Sequence, residues 1–151
     1  MRPALALTVA AALLAACATS PVAPSESPED GPTVVFLGED CAVIAAVAKD
    51  HYRFNTTDNR PPPLRFEDGY APPCDWSRYG LAFEPFDPDA TGDPRRRVRW
   101  VSFDRPVYDG GGARVKTGIM HGPLAGMGYE CRVHSGFNGW TAGECRTTWV
   151  S

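Results

Sequence analysis

Residues 113–134 read ARVKTGIMHGPLAGMGYECRVH, and their alternation decides the fold. Ala113, Val115, Thr117 and Ile119 alternate with Arg114 and Lys116. Tyr129, Cys131 and Val133 alternate with Glu130, Arg132 and His134. A period of two places apolar side chains on one face of a strand and charged ones on the other. The intervening stretch from His121 to Gly126 predicts a hairpin loop. Upstream, Val98, Trp100 and Ser102 alternate with Arg97, Arg99 and Val101, and Tyr108-Asp109-Gly110-Gly111-Gly112 predicts a turn. Downstream, Ser135 to Gly139 predicts a tight turn about Phe137 and Asn138, leading into a last strand from Trp140 towards Trp149. Four strands with short connections make an antiparallel meander. One face of such a sheet must be covered.

The cover is read further upstream. Glu39 to Phe54 reads EDCAVIAAVAKDHYRF, with Cys41, Ile44, Ala45, Ala48 and Tyr52 at helical spacing. Acids stand at its N-terminal end and Lys49 and Arg53 near its C-terminal end, as the helix dipole favours. The expected fold is α+β: one amphipathic helix packed on a four-stranded antiparallel meander, stapled by disulfides. From Asn55 to Asp93 the chain reads as irregular. Pro61-Pro62-Pro63 excludes helix and central strand there, with short extended pieces expected near Leu64–Phe66 and Leu81–Phe86. Thr33–Leu37 (TVVFL) predicts a short strand or lead-in.

Cys41, Cys74, Cys131 and Cys145 form an even set, which in an exported chain reads as disulfides. Cys131 and Cys145 flank the Phe137-Asn138 turn and come opposite each other when the hairpin folds. Of the three connectivities that four cysteines allow, this favours the one that also joins Cys41 to Cys74, tying the helix to the irregular segment. No CxxC pair is present, and the spacings match no common zinc module. No metal and no cofactor are expected.

The N-terminus carries Met1-Arg2, an apolar run from Ala4 to Ala16, and then Cys17. This is an export signal and not a structural helix. Its end, Leu14-Ala15-Ala16-Cys17, resembles the lipobox of bacterial lipoproteins. The resemblance implies cleavage before Cys17, lipidation of its sulfur and an acylated amine. Ala18, where an aspartate would retain the protein in the inner membrane, implies the outer membrane of a Gram-negative cell. Several acyl chains on one residue give stable anchoring, where one is marginal. The expected organisation is a signal peptide over residues 1–16, Cys17 and a Pro/Ser/acidic tether over 17–32, and a single domain over 33–151. The rhythm of the C-terminal strands, with Gly-x-Gly-Tyr-x-Cys at Gly126–Cys131, is similar to small exported α+β domains of the cystatin-like kind. It brings no functional residue with it.

Of the 151 residues, 15 are basic and 18 acidic, a net charge of -3. That balance argues against a nucleic-acid partner, which selects basic domains. Residues 33–94 carry 5 basic and 11 acidic groups, and residues 95–151 carry 9 and 4. Arg95, Arg96, Arg97 and Arg99 concentrate the positive charge. They predict either attraction between the two halves or a patch for an anionic partner. Met120, Leu124 and Met127, in the glycine-rich loop, predict a small adaptable apolar surface. Asp87 to Asp93 has the oxygen spacing of half a calcium loop, but Val98 stands where the bidentate glutamate belongs, so a polar turn is expected. His51, His121 and His134 fall in no metal or catalytic motif. The expectation is a non-catalytic, lipid-anchored interaction domain facing the periplasm, with an envelope protein or polymer as partner. The alternatives are an immunity or inhibitor lipoprotein against a periplasmic toxin or cell-wall hydrolase, and an envelope hydrolase.

Overall fold

A computed structural model describes residues 39–151. The expectations for the signal, Cys17, the tether and the Thr33–Leu37 strand lie outside the described residues. Among the described residues the fold is α+β, with one α-helix, α1 (Asp40–Asp50), and six strands. These are β1 (Leu64–Arg65), β2 (Trp100–Phe103), β3 (Val107–Asp109), β4 (Gly112–Gly122), β5 (Ala125–Gly136) and β6 (Gly139–Val150). They form one sheet in the order β1-β2-β4-β5-β6, with β3 also paired to β4.

The four-stranded meander is therefore only part of the sheet. The first expected strand is split into β2 and β3. Phe103 pairs with Thr117 and Val107 with Arg114, so three residues on one side oppose two on the other. Pro106, with no amide hydrogen to donate, sits in that break. The strand also starts later than its alternation suggests, because Pro94–Arg97 forms a 3-10 turn capped by the Asp93 side chain. β1 adds a short parallel pair, Leu64 with Val101 and Arg65 with Ser102. The expected loop at 121–126 shrinks to Pro123-Leu124, since Gly122 already pairs with Ala125. The Phe137-Asn138 turn stands where the sequence places it, between the paired Gly136 and Gly139. At Gly112, φ is +136° and a Cβ would collide with the Val133 carbonyl, so only glycine fits.

The helix departs from simple amphipathicity. Val43, Ile44, Ala45, Ala46, Val47 and Ala48 are all buried. The sheet's inner face covers one side with Val101, Phe103, Ala113, Val115, Cys131 and Val133. Phe54 just past the helix, Leu64 of β1 and Leu81 of the irregular segment join the same core. A helix held between two layers loses its polar stripe. Each fully buried Val or Ile contributes about 1.5–3 kcal/mol. The helix ends at the His51 cap, and Arg53, at φ 61°, then turns the chain left-handed.

Both expected disulfides are formed. Cys41 in the first turn of α1 joins Cys74, and Cys131 joins its cross-strand partner Cys145. The irregular segment is further pinned by rings. Trp76 meets Phe83 at 5.1 Å, and Phe83 meets Phe103 at 6.1 Å. Asp87 holds a polar turn, its carboxylate accepting from Asp89 N at 2.9 Å.

Candidate functional site

The solvent face of the sheet is laid out in rows by the strand registers. Ser102, Gly118, Gly128 and Trp149 are paired in turn across β2, β4, β5 and β6. Trp100, Met120 and Gly126 make the row on one side. Lys116, Glu130 and Arg146 make the row on the other. Same-face rows lie about 7 Å apart, two residues of strand rise.

Trp149 reaches this face because of a β-bulge. Thr147 pairs with Tyr129 and Trp149 with Gly128, so Thr148 is the extra residue. Strict alternation would put Thr147 and Trp149 on one face. The bulge changes the phase and turns the indole outward. There it lies across three glycines. A Cβ on Gly118 would stand 3.1 Å from Trp149 Cζ2, and one on Gly126 would collide with Met120 Sδ and stand 3.0 Å from Trp149 Cζ3. A Cβ on Gly128 would overlap the five-membered ring at Nε1, Cδ1 and Cε2. None of the three has a positive φ, so their backbones do not need glycine. What they supply is room. Trp149 keeps 40% of its surface exposed. Trp100 stands on the other side of Gly118, 3.6 Å from the same Cβ position, with the Arg65 guanidinium 5.0 Å over its ring.

Beyond the Lys116-Glu130-Arg146 row the same face carries a groove of about 340 Å³. Arg114, Arg132, Arg146, Glu130, Glu144 and His134 line it. Arg114 and Arg132 are directly opposed across β4 and β5. Like charges so placed repel, and the Asp109 carboxylate takes up Arg132 through two hydrogen bonds of 2.5 and 2.6 Å. That contact holds the Asp109 carboxyl well below its usual range.

The sequence-predicted surface residues come apart. Met120 pairs with Gly126 and Met127 with Ile119, so the methionines lie on opposite faces of the sheet. Leu124 stands alone at the hairpin tip, 85% exposed. Arg95 and Arg99 line a separate cleft of about 390 Å³ with Arg60, Pro61–Pro63, Glu84 and Asp93. Arg97 is exposed in the 3-10 turn. For Arg96 only the backbone is described. The acids from the 33–94 half thus interleave with the arginines.

Two polar clusters went unread in the sequence. Tyr70 and Tyr108 donate to the two oxygens of Asp40, at 2.8 and 2.6 Å. Burial, then the hydrogen bond to Asp40, pushes both phenols far up. They are donors that stay protonated. Tyr52 meets Thr117 Oγ1 at 3.1 Å, and that hydroxyl donates to the Ser102 carbonyl at 2.6 Å. Burial pushes the Tyr52 phenol up to about 12, and the Thr117 contact opposes this. His51 lies close to Cys131 and Cys145. The two sulfurs are bonded to each other, so that trio offers a metal one nitrogen only. Burial lowers the His51 pKa. Its ring packs edge-on to Tyr129 at 4.4 Å.

The signal for the Trp149 platform was present in the sequence as Gly118, Gly126 and Gly128, but a glycine-rich stretch reads as loop. Comparison with protein-family models, curated proteins and solved structures found no match for this chain.

Proposed function

We propose that this chain is a lipoprotein of the Gram-negative outer membrane, anchored through acyl chains on Cys17. In this reading the domain is a non-catalytic interaction module, working on an envelope protein or polymer from the periplasmic side. The observation that carries the proposal is Leu14-Ala15-Ala16-Cys17 at the end of a short apolar signal. The two disulfides support it, because such bonds persist in oxidising compartments such as the periplasm.

The test is metabolic labelling with a palmitate analogue, followed by membrane fractionation and crosslinking in intact cells. Wild type should carry the label, sediment with outer membrane and yield one crosslinked partner. Cys17→Ala should lose all three. Label-free wild type, or Cys17→Ala that still sediments with the outer membrane as wild type does, would defeat the anchor.

A further inference from the structure

The solvent face places glycine at 118 and 128 beneath one indole, and at 126 where the Met120 sulfur and the edge of the same indole meet. Glycine in a strand interior is costly in entropy and gives up packing. Part of the return is structural, since an aromatic ring laid over strand glycines shields their backbone. Shielding buries one side of the ring and does not cover its outer side, which leaves 40% of the Trp149 surface in water and open to a ligand. Nor does shielding explain the charges placed one row away, where Lys116, Glu130 and Arg146 alternate in sign. The groove of about 340 Å³ continues the same line along β5 and β6, with three arginines against two glutamates.

We infer that Trp149, the Lys116-Glu130-Arg146 row and the adjoining groove form a binding site for an acid-bearing glycan chain. The juxtaposition is a flat exposed indole beside a track of hydrogen-bonding charges. A pyranose ring with equatorial substituents turns its C–H bonds to its faces, and one such face lies on the indole. Tryptophan suits a surface that is apolar at one end and wet at the other. The hydroxyls of the next sugars meet Glu130 and Lys116. Carboxylates on the chain meet Arg146 and Arg114, whose planar forks match them. The site runs across neighbouring rows of one sheet face, which fits a polymer laid across it and not a small ligand enclosed by it. Arg146 can turn to such a ligand, because its side chain is 79% exposed and its ion pair with the equally exposed Glu144 is 3.5 Å long.

This inference deepens the reading of an envelope-binding domain by naming its polymer, and it rests on that reading for the ligand's location. Full-length protein, purified in detergent as the cell makes it, is sedimented with purified peptidoglycan sacculi, with neutral chitin and with anionic phospholipid vesicles. Wild type should bind sacculi more tightly than chitin, and salt should weaken the binding. Trp149→Ala should lose about tenfold or more in affinity, as buried aromatic anchors do. Trp149→Phe should recover part of it. Arg146→Gln, which touches no packing, should lose a few-fold with an unchanged melting temperature. No retention on sacculi, Trp149→Ala and Arg146→Gln binding like wild type, or equal binding to chitin would overturn the inference. So would capture by the vesicles alone. Cys17→Ala purified the same way should bind sacculi unchanged, so loss of the anchor and loss of the glycan site are read separately.

Discussion

At the scale of single residues, the polar chemistry of this domain is built to hold protons. Tyr52, Tyr70 and Tyr108 all have phenols raised above their ordinary value of 10.0 by burial. A folded-state pKa above the unfolded one adds stability that is complete below pH 10.0 and is lost as pH rises through the folded value. For Tyr52 that window runs from 10.0 to about 12. The melting temperature should therefore fall steeply above pH 10.0, with the tyrosinate absorbance of Tyr52, Tyr70 and Tyr108 appearing as the chain unfolds. Tyr52→Phe should cost about 1 kcal/mol at neutral pH for the lost hydrogen bond, yet flatten the alkaline decline. A decline of unchanged slope would show that Tyr52 is not among its sources. His51 works at the other end, with the opposite sign. Its pKa lies below 6.5 in the fold, so its contribution is present above 6.5 and is lost as pH falls.

At the scale of elements, β6 shows how one unpaired residue sets what a strand presents. Without the bulge at Thr148 the indole would face the helix side. With it, the ring occupies space that Gly128 leaves open. Gly128→Ala should then cost about 1–3 kcal/mol by overpacking. In a Trp149→Ala background the same change should cost far less, because the clash is gone and alanine restricts the unfolded chain more than glycine does. Denaturant melts of the four proteins measure the coupling, and additive effects would mean that the ring does not lie where the glycines place it. The sequence showed the strands themselves because alternation is a local signal, visible at Ala113–Ile119 and Tyr129–Val133. It also showed the Phe137-Asn138 turn. It hid the bulge, which carries no residue signature at Thr148, and it disguised the Pro123-Leu124 hairpin as a longer loop because glycines there serve packing. Asp40 read only as a residue favoured by the helix dipole. Its two tyrosine partners come from positions 70 and 108, a pairing that no spacing rule reaches.

At the scale of the whole molecule, the two disulfides divide their work by what they join. Cys131–Cys145 connects residues that β5 and β6 already hold in register. Cys41–Cys74 joins α1 to a segment with little regular structure, closing 33 residues of separation. Between them lie the Pro61–Pro63 run and Leu64, which bridges to Pro85 beyond Cys74. This segment supplies Leu64, Leu81 and Phe83 to the core, so it must be held down for the helix to stay buried on both sides. Chain-entropy arguments give each bridge a similar value, about 3–4 kcal/mol for loops of these lengths. The kinetic consequence differs, because local opening follows the part with the fewest other ties. Replacing Cys41 and Cys74 by alanine should expose the irregular segment before the sheet opens, with tryptic cuts after Arg65 and Arg78 preceding any cut in β4 to β6. Replacing Cys131 and Cys145 should lower the global melting temperature by a comparable amount while leaving those early cuts at the wild-type rate. Timed limited proteolysis with mass mapping separates the two. If both double variants are first cut in the same place, the Cys41–Cys74 bridge is not what keeps the irregular segment closed, and the aromatic cluster around Trp76 and Phe83 holds it unaided.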